Sequence, residues 1–168
     1  IIVILNLNQA SFINHIFSHV KIPLTMKKLL TGIRPTGALH LGHYIGALKQ
    51  WVELQNDYEC YFMVADIQAL TTHADNPSLI KESVQEVVLD FLAVGLDPEK
   101  SNVHFILQSA IPELTELTVY LSMVTPFSRM QTNPTVQSEL KNIKNVTTGF
   151  MCYPISQAAD ILFISPRP

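Results

Sequence analysis

The sequence predicts an α/β protein: a Rossmann-like parallel sheet with helices on both faces. Three observations carry this expectation. From Met26 onward, short apolar runs alternate with longer stretches of helical periodicity. Residues 58–65 and 103–107 are mostly apolar and hold no turn residue, as strands covered on both faces are. A glycine-bearing turn joins the first strand to the first helix, where helix N–H groups gather to meet an anion. Strand–helix–strand order implies right-handed crossovers, and ligands in such sheets bind outside the carboxyl ends of the strands.

Each element follows in order. Residues 27–31 form a short apolar run ended by Gly32, which suits a buried strand. Residues 32–37 read as a loop in which two glycines bracket Arg34-Pro35-Thr36. Leu41, Ile45, Leu48 and Val52 then recur at helical steps, with Trp51 beside the stripe and packing in or near the core. Residues 58–65 are aromatic and apolar and read as a second buried strand, with Asp66 at its carboxyl end. The next helix is well punctuated: Asn76 can cap it, Pro77 fits its first position and Gly95 suits the left-handed stop. Its core stripe is Ile80, Val84, Val87, Val88 and Phe91. Residues 103–107 form a third strand and 112–124 a third helix. Residues 125–148 read as loop with short helical pieces, and helical spacing returns over 149–163.

Composition narrows the functional classes. The 168 residues are 48% apolar and carry a net charge of −3, so no basic stripe marks a nucleic-acid surface. No apolar run reaches the roughly 18 residues of a membrane span. Cys60 and Cys152 lack metal or redox spacing, which points to a reduced, cytoplasmic compartment. Residues 1–25 begin at Ile1, have no steady period, and lack a basic n-region and cleavage site. They are expected to be a non-native or disordered extension.

The chemistry concentrates in Gly32-Ile33-Arg34-Pro35-Thr36-Gly37-Ala38-Leu39-His40-Leu41-Gly42-His43. This is not a P-loop, because Ala38-Leu39 stand where Lys and Ser/Thr are needed, and it is not a G-x-G-x-x-G turn. What remains is a pair of imidazoles, His40 and His43, one turn apart on one face. Gly42 between them leaves room for a flat base or ribose against the backbone. Imidazole N–H groups at a helix mouth suit phosphoryl chemistry, where positioning and donors aimed at developing charge do most of the work.

His40-Leu41-Gly42-His43 resembles the HIGH element of class I aminoacyl-tRNA synthetases. The longer string from Gly32 through Tyr44-Ile45-Gly46-Ala47-Leu48 resembles the tryptophanyl-tRNA synthetase form. The likeness continues in Asp66-Ile67-Gln68-Ala69-Leu70-Thr71, in Leu92-Ala93-Val94-Gly95-Leu96-Asp97-Pro98, and in Tyr153-Pro154-Ile155-Ser156-Gln157-Ala158-Ala159-Asp160-Ile161-Leu162. Four such blocks in order are specific, whereas a lone H-x-G-H is not.

The resemblance implies an enzyme that activates L-tryptophan with ATP and Mg2+, giving tryptophanyl-adenylate, and transfers the aminoacyl group to tRNA(Trp). It implies a homodimer in the intact enzyme. Residues 26–168 would be the N-terminal part of its Rossmann-type catalytic domain. Arg34, Pro35 and Thr36 would border the ATP; Gly42 and His43 would contact adenosine and phosphate, with His40 as the first HIGH histidine. Asp160 would accept the indole N–H, since indole is a donor only. Tyr153 and Gln157 would line the same pocket, and no metal-ligating set is expected. Many family members have methionine where Gln157 stands, so a more polar wall is expected here. No K-M-S-K-S-type string occurs in these residues, and the resemblance would place the second half of the fold and an anticodon-reading domain beyond them. The chain alone is therefore expected to be weakly active or inactive and to expose an unpaired sheet edge.

The same residues have plainer readings. His40 and His43 could simply cap a helix start; Asp160 alone would be a helix-face carboxylate; Asp66 is as well suited to capping a loop as to a site. Other functions compete as well. Tyrosyl-tRNA synthetase resembles the Tyr153, Gln157 and Asp160 set, and a phenol hydroxyl also pairs with a carboxylate; residues 32–48 favour tryptophan. A small HIGH-type nucleotidyltransferase is opposed by the long helix 77–95 and by the Asp160 pocket. A non-catalytic, truncated fragment is the rival from another class.

Overall fold

The computed structural model describes residues 3–5, 26–141, 143 and 146–164. Its sheet has the order β1-β2-β3-β4, formed by Val3–Leu5, Lys28–Ile33, Glu59–Val64 and Val103–Leu107. Strands β2, β3 and β4 are parallel, and β1 pairs antiparallel with β2 through Val3 opposite Leu30. Within the segment expected to be an extension, residues 3–5 thus form an edge strand; its other residues lie outside the described ones.

Alternation along the strands makes two cores. One face buries Leu29, Cys60, Phe62, Val64 and Val103 against Leu48 and Trp51 and against Val87 and Phe91 of α4, Pro77–Ala93. The other buries Leu30, Met63 and Ala65 against Leu114 of α5, Pro112–Val124, and Ile164 of α8, Thr148–Ile164. Both faces of the parallel strands are therefore covered by helices. Trp51 is 1% exposed, stacked on Phe62 at 5.5 Å and edge-on to Phe91 at 5.7 Å.

The punctuation expected around α4 is present: the Asn76 side chain accepts from Leu79 N–H at 3.2 Å, and Gly95 has φ 99°. Buried Gln55 ties this turn down, donating to the Gly95 carbonyl at 2.9 Å and accepting from Asp97 N–H at 3.0 Å. The block of residues 92–98 thus serves as a chain reversal between α4 and β4.

Two expectations change. Gly32 does not end β2 but lies inside it, paired with Met63. A Cβ on Gly32 would sit 2.5 Å from the Met63 carbonyl oxygen, so only glycine permits this strand approach. The first helix also differs from its apolar stripe. α1, Leu41–His43, runs through a π turn, Tyr44–Leu48, into α2, Lys49–Leu54. Lys49 N–H donates to the Tyr44 carbonyl, an i→i+5 bond. That extra residue shifts the helical phase, so Leu41 and Ile45 are 71% and 65% exposed while Leu48 and Trp51 are buried. Asp66–His73 forms a further helix, α3, and the span read as loop with short helical pieces carries two of them, α6, Phe127–Gln131, and α7, Pro134–Leu140.

Gly32→Ala is expected to destabilise the fold by about 1–3 kcal/mol through overpacking against β3. Gly46→Ala, where a Cβ meets nothing within 4 Å, is the control. Urea denaturation checks this, and equal midpoints for Gly32→Ala and the parent would contradict it.

Candidate functional site

Two cavities adjoin at the carboxyl ends of β2 and β3, of about 320 and 310 Å3. They share the wall formed by Thr31, Gly32, Ile33 and Arg34. The larger lies on the α8 side and is lined by Gln68, Tyr153, Gln157 and Asp160, with Asn133, Thr135 and Glu139 as its outer wall. The smaller lies on the α1–α2 side and is lined by Thr36, His43, Gly46, Ala47 and Trp51. The segment expected to be loop with short helical pieces therefore supplies one wall of the larger cavity.

Asp160 sits on α8 and is 5% exposed. Its Oδ2 accepts from Gln68 Nε2 at 2.9 Å, and Gln108 Nε2 donates to Oδ1 at 3.0 Å and to Oδ2 at 3.1 Å. Burial pushes the carboxyl up to about 6, against the opposing pull of the Gln108 hydrogen bond. Tyr153 and Gln157 face the same cavity. Burial also raises the Tyr153 phenol, with Glu139 adding to the effect and Arg34 opposing it. All three residues expected around an indole are thus brought together.

The nucleotide residues divide. Arg34 borders both cavities, and Thr36 and His43 border the smaller one. Pro35 is fully buried; Pro35, His40 and Gly42 are not among the lining of either cavity. His40 and His43 form a reciprocal cap: Gly42 N–H donates to His40 Nδ1 at 3.1 Å, and His40 N–H donates to His43 Nδ1 at 3.2 Å. Their rings lie 4.1 Å apart. The plainer reading of a histidine cap therefore holds alongside any contact His43 makes in the cavity. Gly42 has a local reason as well, because a Cβ there would lie 2.9 Å from the His40 ring. His43 is held below the usual imidazole range, first by burial and then by His40.

Among the described residues, two buried side-chain donors have no hydrogen-bond partner: Trp51 Nε1 and Tyr153 Oη. Each belongs to a residue lining one of the two cavities. Orphaned buried polar atoms are rare, and both lie in side chains at a cavity wall. No group of three His, Cys, Asp or Glu that could hold a metal occurs among the described residues. No helix there is long and apolar enough to cross a membrane.

Gln68 and Gln108 carry no expected role from sequence, yet both hold Asp160. Each stands just past the carboxyl end of a strand, Gln68 after β3 and Gln108 after β4. That position was the available signal. Asp66 proves to be the loop-capping residue of its alternatives: its Oδ1 accepts from Ser109 N–H at 2.9 Å, bolting the two strand ends together.

The model of the class I tRNA synthetases for tryptophan and tyrosine matches residues 25–167. A tryptophan–tRNA ligase of Clostridium longisporum is 56% identical over 139 residues, 79% of this chain and 40% of that protein. One of Streptococcus mutans is 53% identical over 138 residues, with the same coverage. The chain thus spans about 40% of the length of these relatives. A crystal structure of tryptophanyl-tRNA synthetase from Campylobacter jejuni, complexed with ADP and tryptophan, superposes with TM-score 0.72 at 33% identity, over 79% of this chain and 40% of that one. The Mycoplasma pneumoniae tryptophanyl-tRNA synthetase gives TM-score 0.75 at 29% identity, over 82% and 41%. The chain belongs to the class I tRNA synthetase family of the tryptophan and tyrosine enzymes.

Proposed function

We propose that the whole protein is a tryptophan–tRNA ligase, and that this chain supplies its amino-acid cavity and the HIGH side of its nucleotide cavity. The observation that carries this reading is the pair of adjoining cavities, each lined by a residue with an orphaned donor, meeting at Arg34. The relatives' names favour tryptophan over tyrosine, and the Campylobacter jejuni protein holds ADP and tryptophan together.

In this reading tryptophan occupies the larger cavity with its indole N–H toward Asp160. A buried carboxylate bonded to neutral amides offers that donor a strong acceptor. Tyr153 and Gln157 border the ring. ATP enters the smaller cavity, with Arg34, Thr36 and His43 beside it and Pro35 setting the backbone turn. The tryptophan carboxylate attacks the α-phosphorus in line. A bond forms between its oxygen and phosphorus, the bond to the bridging oxygen breaks, and pyrophosphate leaves with the electron pair. Arg34, shared by both cavities, is placed to balance the charge where carboxylate and phosphate meet.

The histidine geometry defines what His40 and His43 can donate. Both Nδ1 atoms accept backbone N–H bonds, so each neutral ring carries its proton on Nε2. That leaves Nε2–H as the outward donor. Mg2+ is a different matter, because the lining of the smaller cavity contains no carboxylate. These residues do not make a magnesium site, and the ion would arrive on the ATP phosphates.

Transfer to tRNA(Trp), a cytoplasmic setting and a homodimer belong to the proposal for the whole protein. The dimer reading has local support in Val119, Tyr120, Met123, Val124 and Phe127, exposed together on α5 and the start of α6.

Three outcomes are expected. ATP–pyrophosphate exchange by the protein carrying this sequence should require tryptophan; exchange supported by tyrosine instead would move the assignment to the sister enzyme. Tryptophan affinity should be full above pH 7 and fall by up to about tenfold per unit below pH 6, as Asp160 gains a proton and ceases to be a carboxylate acceptor. Calorimetric titration across pH 5–8 reads this, and flat affinity would exclude Asp160 as the acceptor. Nitrogen-15 spectra of the imidazoles at neutral pH should show both His40 and His43 as Nε2–H tautomers; an Nδ1–H signal from either would contradict the reciprocal cap.

A further inference from the structure

Gln108 follows β4 in a short 3-10 turn, Gln108–Ala110, and is 1% exposed. Its side chain is fixed from two sides. The backbone N–H of Gln68, in the first turn of α3, meets the Gln108 amide at 3.1 Å. A backbone N–H can only donate, so the atom it meets must be Oε1. The amide nitrogen is then left facing Asp160, where it spans both carboxylate oxygens at 3.0 and 3.1 Å. The relay runs from a helix N-terminal N–H through one amide into the carboxylate. Each link has a single polarity, and the helix end reinforces it.

We infer that Gln108 is the positioning residue for ring recognition: its amide, oriented by the Gln68 backbone, holds Asp160 as an acceptor aimed at the substrate's ring N–H. This rests on the reading of the Asp160 cavity given above. A buried carboxylic acid can accept or donate, and only the ionised form is acceptor-only. Two amide donors, from Gln108 and Gln68, press it toward that form. Arg34 at the end of β2, Glu139 on α7 and Tyr153 on α8 are the titratable groups sharing the cavity. Among the described residues, the Asp160 side chain is bonded to Gln68 and Gln108 and to none of these three. Gln68 lines the cavity itself, whereas Gln108 stands behind the carboxylate and acts through it. The acceptor that meets the ring N–H is thus held in its acceptor form from one residue away.

The test uses the full chain with Gln108→Leu and Gln108→Glu, and Asp160→Asn as reference. The first readout is the Asp160 carboxyl titration by carbon-13 NMR, identified as the signal lost in Asp160→Asn; it needs no ligand. The Gln108→Leu variant should move the midpoint upward. Gln108→Glu, which keeps the shape and removes the donor, should move it further, because two adjacent carboxyls cannot both ionise. The second readout is the tryptophan dissociation constant. Both variants should weaken binding about tenfold or more at pH 7, as loss of a hydrogen bond to a charged group does. The Leu variant should recover affinity in part at pH 8.5, and ATP affinity should hold throughout. A purely structural role would lower affinity at every pH alike. An unchanged Asp160 midpoint in either folded variant overturns the inference alone. Unchanged tryptophan affinity in Asp160→Asn would instead overturn the reading of the cavity, and ring recognition by Gln108 with it.

Discussion

Asp160 is a carboxylate buried among neutral donors, and the fold around it is arranged to tolerate that burial. Taking an ionised group out of water is costly unless hydrogen bonds replace the lost solvent. The replacements come from two elements, Gln68 on α3 and Gln108 after β4, while the carboxylate is carried by α8. Three segments distant in sequence must therefore converge at one point. The penalty that remains appears in the carboxyl group, raised from 3.8 to about 6. A folded-state value above the unfolded one means that ionisation works against the fold. This group's favourable contribution is present below about pH 4 and is lost as pH rises through 6. The protein thus gives up stability at neutral pH to keep an acceptor ready, a common pattern where a site departs from what folding alone would choose.

The parallel sheet supplies the geometry for the rest. Because β2 and β3 end side by side, side chains just beyond them face two cavities with a common wall. Gly32 brings the strands close by removing the Cβ that would strike Met63, and the next residues carry Arg34 to the junction. On one side the π turn rotates the helix after the histidines, so that Trp51 enters the core while His43 faces the cavity. On the other, α7 and α8 close over the larger cavity. The proposed joining of two substrates needs this kind of rigid juxtaposition more than it needs reactive side chains.

Much of this was legible in the sequence, for identifiable reasons. β4 and α5 coincide with their expected spans, and α4 was marked by Asn76, Pro77 and Gly95, whose backbone roles are local. Tyr153, Gln157 and Asp160 were legible as a group through the resemblance carried by residues 153–162, and all three line the larger cavity. What escaped depends on partners far away in sequence. Gly32 looked like a strand terminator because the contact that requires glycine lies on β3. The stripe Leu41, Ile45, Leu48 and Val52 assumed a uniform helix, and one i→i+5 bond displaced its first half into solvent. Gln108 carried no expected role, since its meaning comes from Asp160, far along the chain. Gly42 was read as space for a base, and a Cβ there would also press on the capping ring of His40.

The most direct measurement is a crystal structure of the protein bound to tryptophan and a non-hydrolysable ATP analogue. The account expects the indole nitrogen within hydrogen-bonding distance of Asp160, and the nucleotide in the cavity bordered by His43 and Trp51. It also expects the tryptophan carboxylate and α-phosphate to meet beside Arg34. Tryptophan bound away from Asp160, or a nucleotide outside the His43 cavity, would contradict it.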